Sequence, residues 1–155
     1  MCDGIEIEGK KIIFGEGRDL LPITHADEEV NWVIWGERRE GDCYPHGGWV
    51  HPGDLKSSSW RPWRPKEVVI PADRFMVRND RGKAEWFPLE PGMGIRGMMA
   101  CRELECRLYI VTTTPPEQYG WARRWPDVVT TLPNQVSAIE SKRPSQYEHP
   151  DLLHA

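Results

Sequence analysis

Fourteen glycines and fourteen prolines are scattered through the 155 residues, and they constrain the fold more than any other feature. Glycine costs backbone entropy in a regular element, and proline lacks the N–H that an interior helical turn requires. Apolar residues at helical spacing are scarce in the intervals between them, so the chain reads as short strands joined by turns. Seven segments have the composition and alternation of strands: Lys11–Phe14, Trp32–Trp35, Glu67–Ile70, Arg74–Val77, Glu85–Leu89, Ile95–Cys101 and Leu108–Thr113. Asn79-Asp80-Arg81-Gly82 reads as the loop of a hairpin closed by glycine. Two short helices are expected. One spans Thr24–Asn31, with Thr24 as cap and Asp27 at the third position; the other starts after Thr114, with a proline and Glu117 in its first turn, and runs towards Arg124.

The segment 41–65 is rich in Gly, Pro, Ser and Trp and has no usable periodicity, so it is expected to be a long ordered loop over the sheet. The polar tail beyond about residue 133 is expected to be loosely attached to a single domain covering 1–155. No apolar run follows basic residues at the start, and none reaches the 18 or so residues of a membrane span, so a soluble, cytoplasmic protein without a membrane partner is expected. For such a chain the four cysteines, Cys2, Cys43, Cys101 and Cys106, are expected to be reduced thiols. Cys43-x-x-His46 and Cys101-x4-Cys106, with His51 nearby, offer soft ligands but match no zinc knuckle, so neither metal nor cofactor is expected.

The net charge of −4 argues against a protein that coats nucleic acid, yet the charge is unevenly spread. Residues 1–59 carry 6 basic and 12 acidic side chains, 60–102 carry 9 and 5, and 103–155 carry 5 and 7. A basic middle can be an ordinary solvated surface or a phosphate-binding face. Trp49, Trp60 and Trp63, interleaved with Arg61 and Arg64, could stack on bases and hold phosphates, or could pin a loop to the core.

Cys2 directly follows the initiator Met. Removal of that Met would leave a thiol and a free α-amine on one residue, with reference pKa values near 8.5 and about 7.7–8.0. An aldehyde meeting this pair can form an imine that the sulfur closes into a thiazolidine.

The order of landmarks resembles the SRAP family, the SOS-response-associated peptidases. Met1-Cys2 opens the chain, followed by Leu21-Pro22-Ile23, Trp35-Gly36 and Val69-Ile70-Pro71-Ala72-Asp73-Arg74-Phe75, near the family's Ile-Pro-Ala-Asp-Gly-Phe. Arg96-Gly97-Met98-Met99 is similar to its Ala-Gly-Leu-Trp strand, and Leu108-Tyr109-Ile110-Val111-Thr112-Thr113 to its Phe-Thr-Ile-Leu-Thr-Thr strand. Arg124-Trp125-Pro126-Asp127-Val128-Val129 stands where the family has Arg-Met-Pro-Val-Ile-Leu. The resemblance covers residues 1 to about 130.

It implies an α+β fold: a β-rich, curved mixed sheet forming a pseudo-barrel with a few short helices. It also implies a cleft for bent single-stranded DNA, where the N-terminal Cys forms a thiazolidine with the aldehyde of an abasic site and removes an N-terminal propeptide. Cys2 is thus the expected nucleophile, lying near Trp35-Gly36 and Thr112-Thr113. Trp35, Trp49, Trp60, Arg61, Trp63, Arg64, Arg74, Arg78, Arg123 and Arg124 are the candidate DNA contacts, and single-stranded DNA with abasic sites is the expected partner. The departures are specific. Asp3-Gly4 follows Cys2, Val77 stands in register with the family's catalytic Glu, and Ala122 with its His. Without those proton carriers the chemistry should slow by roughly 10²–10⁴-fold, unless Glu85 or His51 supplies a proton. The competing expectations are a pseudoenzyme that keeps the fold without the chemistry, and a phage-related interaction protein.

Overall fold

The computed structural model describes residues 2–15, 19–24, 30–37 and 43–130. Twelve strands account for most of them: β1 Cys2–Ile7, β2 Lys10–Ile13, β3 Leu20–Ile23, β4 Asn31–Ile34, β5 Trp49–Val50, β6 Lys66–Pro71, β7 Arg74–Arg78, β8 Ala84–Pro88, β9 Met93–Arg102, β10 Glu105–Thr113, β11 Trp125–Pro126 and β12 Val128–Thr130. All seven strands expected from sequence are present. The helices among the described residues are three short 3₁₀ turns, Pro52–Lys56, Arg61–Trp63 and Glu117–Tyr119. The helix expected after Thr114 is therefore one 3₁₀ turn, after which the chain extends into β11. The helix expected at 24–31 lies mostly outside the described residues, and its ends are extended: Thr24 bridges Val69 and Asn31 opens β4.

The larger sheet is built on β9 and β10, joined by a two-residue turn at Glu103-Leu104 and paired from Gly97–Ile110 to Arg102–Glu105. β6 lies antiparallel along the other edge of β9, and β5 runs parallel to β10. Towards the open end the two long strands part, and the segment 125–130 fills the fork. β11 pairs with β10, β12 pairs with β9, and Asp127 links both edges: its N–H donates to Val111 O, and its carbonyl accepts from Arg96 N at 2.7 Å. The mixed sheet curls into a half-barrel. The β3–β4 hairpin spans its open side, meeting β6 where Thr24 and Val69 exchange two backbone hydrogen bonds and β10 where Gly36 N donates to Leu108 O.

A second sheet, in the order β2-β1-β7-β8, packs across this half-barrel. Alternation dictates the core between them. Ile5 and Ile7 of β1, Phe75 and Val77 of β7, Ile70 of β6 and Leu108 and Ile110 of β10 are all buried in one cluster. The other parity of β10 is buried too, because Tyr109 and Val111 lie beneath the segment 43–63, with Trp60 edge-on to Tyr109 at 4.6 Å. The Ile-Pro-Ala-Asp stretch makes the corner between the sheets. Asp73 N donates to Glu6 O, its carboxylate accepts from Glu8 N at 2.8 Å, and its carbonyl accepts from Leu89 N.

One correction concerns the cysteines. Cys101 and Cys106 face each other across the β9–β10 hairpin and are bridged, whereas Cys2 and Cys43 are thiols. The expectation of reduced thiols rests on the absence of an export signal, and the β9–β10 turn overrides it by setting the two cysteines directly opposite one another.

Candidate functional site

Cys2 begins β1, and its cross-strand partner on β7 is Val77. The pairing shifts register between Cys2 and Gly4, so the strand enters the sheet through a bulge. The Cys2 side chain is fully buried, with Sγ 4.0 Å from Gly4 O. Burial, with the neighbouring Asp3 carboxylate adding to it, pushes the thiol up to about 12. At neutral pH it is a protonated thiol in an apolar setting.

The Cys2 carbonyl accepts a 2.9 Å hydrogen bond from the Trp49 indole N–H. Trp49 is held there by β5, which places it opposite Ile110, and by Trp35, whose ring meets it edge-on at 4.9 Å. Trp35 is fixed in turn by two glycines. Gly36, at φ 62°, makes the turn into the Glu37–Gly47 bridge, and Gly48 lies flat beneath the Trp35 ring, where a Cβ would overlap the indole. The Trp35 N–H donates to Gly48 O at 2.9 Å.

Arg124, exposed after β10 and the last 3₁₀ turn, lays its guanidinium 4.3 Å from the centre of the Trp49 ring. Asp3, only 8% exposed, accepts from Arg78 N at 3.2 Å through Oδ2. Burial raises its carboxyl above the usual range, against the opposing pull of Arg78 and Arg124. The arrangement is a layered one: buried thiol, indole above its carbonyl, guanidinium over the indole, carboxylate alongside. No family model, curated protein or solved structure matches this chain.

Of the candidate residues, Cys2, Trp35, Trp49, Arg78 and Arg124 come together here, with Arg123 exposed next to Arg124. Trp60, Arg61, Trp63 and Arg64 do not. Trp60 is 6% exposed under the long loop, and Trp63 stacks on Tyr44 at 4.7 Å, so both rings fasten that loop to the outer face of β10. Arg61 donates to Lys56 O at 3.1 Å, and Arg64 ends the same 3₁₀ turn in a left-handed conformation. Arg74 sits at the far end of β7, paired with Glu6 and lying over Trp86.

Val77 and Ala122 are both buried in the same cluster as Cys2. Glu85 is the next residue across the sheet, paired with Val77, so the row runs Cys2, Val77, Glu85 with the valine between thiol and carboxylate. His51 is occupied as a cap, its Nδ1 accepting from Gly53 N. Among the described residues no three His, Cys, Asp or Glu side chains gather where they could hold a metal, and no helix is long and apolar enough to cross a membrane.

Sequence reasoning missed Asp3 as a member of the site, because an acid after the nucleophile reads as a departure and not as a partner for Arg78. It also missed Arg107, which is 1% exposed inside β10 and pairs with buried Glu37 at 3.5 Å and with Glu105 at 2.6 Å. An arginine amid an apolar strand was the available signal.

Proposed function

We propose that this chain is an SRAP-like domain that binds single-stranded DNA beside Cys2 and, once its amine is exposed, forms a slow adduct with the aldehyde of an abasic site. The observation that carries the reading is the convergence of distant landmarks. Cys2 pairs with Val77 and clusters with Ala122, the positions in register with the family's Glu and His. The Trp35-Gly36 strand end and the Thr112-Thr113 strand flank the same region through Trp49 and β11. Trp49 and Arg124 offer the recognition chemistry: a guanidinium held on an aromatic face keeps its outward N–H groups for a phosphate, and either plane can stack a base.

A labelled single strand titrated at two salt concentrations tests the binding. Affinity should fall steeply with salt, and Arg124→Ala should lower the slope by about 0.7, the contribution of one phosphate on a single strand. No measurable binding at low salt would defeat the proposal. For the chemistry, abasic single-stranded DNA is incubated with the Met-processed chain and resolved on a denaturing gel. A slow adduct is expected, absent in Cys2→Ser and in chain retaining Met1, and faster in Val77→Glu with Ala122→His. An adduct that persists in Cys2→Ser would mean a lysine reacts.

The second reading, a domain that keeps binding and has lost chemistry, is favoured by one observation: Cys2 is fully buried, with its thiol protonated up to about 12. Salt-dependent binding with no adduct in any variant would select it.

A further inference from the structure

We propose that the solvent face of the β2-β1-β7-β8 sheet is a second contact surface for single-stranded DNA, with Trp86 as its stacking platform and Lys11 and Arg78 as its phosphate partners. It rests on the single-strand binding proposed above and carries the strand onto the face of this sheet turned away from Cys2.

Register places these side chains together. Phe75 and Val77 of β7 are buried in the core, so Arg74, Met76 and Arg78 point to the other face. Across the sheet, Ile13, Gly4, Met76 and Trp86 form one outward row, and Lys11, Glu6 and Arg74 stand in the next. The first row is apolar. Gly4 leaves room that the Met76 methyl takes, since a Cβ there would lie 3.4 Å from it. Met76 is only 1% exposed although it lies on the solvent face, and its half-exposed cross-strand neighbour Trp86 has the ring to cover it. The Lys11 ammonium and the Arg74 guanidinium each lie 5.1 Å from the centre of that ring. Three strand intervals, about 14 Å, separate β2 from β8, so the indole and the lysine must both lie along the sheet to meet. Trp86 is therefore a shelf laid over the sheet, with an exposed lysine resting on it.

Charge selects the occupant. Lys11, Arg74 and Arg78 border the apolar row against one carboxylate, Glu6, whose two oxygens accept from Arg74 Nε and Nη2. Arg74 is thereby spent on holding the ring, and Lys11 and Arg78 remain as the excess. Arg78 is exposed, and its Nη1 donates to Gly82 O at 3.1 Å, which leaves its other N–H groups outward. It stands four residues along β7 from the row of Lys11 and Arg74, about 13 Å away, with the Met76–Trp86 pair midway. A polyanion with unpaired bases matches this order of cation, aromatic shelf and cation. A base stacks on the indole in place of the Lys11 ammonium, and the lysine, released from the ring, turns to a neighbouring phosphate. A duplex keeps its bases stacked on one another and would use the charges alone.

The full chain is titrated with a labelled oligothymidylate at several salt concentrations. Trp86→Leu keeps an apolar cover over Met76 and removes the aromatic face, so affinity should fall about fivefold or more. Lys11→Gln should lower the salt slope by about 0.7, the contribution of one phosphate. A strand carrying 5-iodouracil, irradiated in complex with the wild-type chain, should crosslink to the peptide that contains Trp86, read by mass spectrometry; this arm decides the matter should Trp86→Leu fail to fold. Wild-type binding that neither substitution alters, with no crosslink within β8, would overturn this surface and leave the site at Trp49 and Arg124 standing. No binding by the wild-type chain at low salt would overturn both.

Discussion

Brief alkylation of the folded chain with iodoacetamide at pH 8 should modify Cys43 and leave Cys2 intact. The thiolate is the reactive form, and a thiol pushed up to about 12 from an ordinary value of 9.0 carries it in about one molecule in ten thousand at pH 8, against about one in ten without the shift. The difference is about a thousandfold before steric exclusion is counted, and full burial adds to it. Cys101 and Cys106 do not compete, being bridged. A timed pulse, acid quench and peptide mass spectrometry give both rates, with a urea-unfolded sample as the reference for full reactivity. Linkage supplies a second readout. The unfolded chain loses the Cys2 proton near 9.0 and the folded chain only near 12, so between those values the unfolded state binds fewer protons and gains from rising pH. The contribution of this group is intact below pH 9 and falls by about 1.4 kcal/mol per unit above it. Urea unfolding of wild type and Cys2→Ala at pH 8 and pH 10 isolates it, since the variant lacks that slope. Labelling of Cys2 within tenfold of Cys43, or equal pH slopes, would refute the reasoning.

Gly48→Ala should cost about 2 kcal/mol or more, since its Cβ overlaps the Trp35 ring and displaces the indole from Gly48 O, whereas Gly82→Ala, with open space around it, pays only for its left-handed backbone, about 1 kcal/mol. Equal urea midpoints for the two would contradict the packing described. Arg107→Met leaves Glu37 buried without its guanidinium and should destabilise by about 3–5 kcal/mol, with Glu37→Gln in the same chain restoring part of the loss; a shift below about 1 kcal/mol would show the pair to be hydrated. Trp49→Phe keeps an aromatic platform for Arg124 but removes the N–H that binds the Cys2 carbonyl, so stability should fall by about 1 kcal/mol while single-strand affinity changes little; a large affinity loss would move the recognition surface onto the indole nitrogen.

Strands with strong β-branched and aromatic alternation were legible in the sequence, because their faces are set by the same alternation that builds the core. β9 and β10 are the clearest, each buried on both faces. β1 was not legible. Its Cys-Asp-Gly opening has no strand preference, and only its partners β2 and β7 hold it extended. β5, β11 and β12 are two or three residues long and exist only because longer strands offer them an edge. The aromatic loop was expected over the sheet, and it covers the outer face of β10. Composition could not divide its tryptophans between anchoring and display: Trp60 turns inward on Tyr109, while Trp49, eleven residues earlier, carries the exposed Arg124 guanidinium. The site itself was half visible. Cys2, Val77 and Ala122 could be aligned, but the burial of the thiol depends on tertiary neighbours that no local pattern encodes.

The fork between β9 and β10 has a bearing on the order in which the molecule can assemble. A hairpin normally completes itself from its turn outward, using only neighbours in sequence. Here zipping stops at Gly97 and Ile110, and beyond that point the edges that β9 and β10 turn towards each other have no companion until residues 125–130 arrive to be clasped from both sides. The beginning of the chain waits as well, since β1 needs β7 and the Cys2 carbonyl needs Trp49. Translation therefore delivers the keystone late. A chain ending before Trp125 would hold a sheet with a split seam, its two inner edges open to any passing strand.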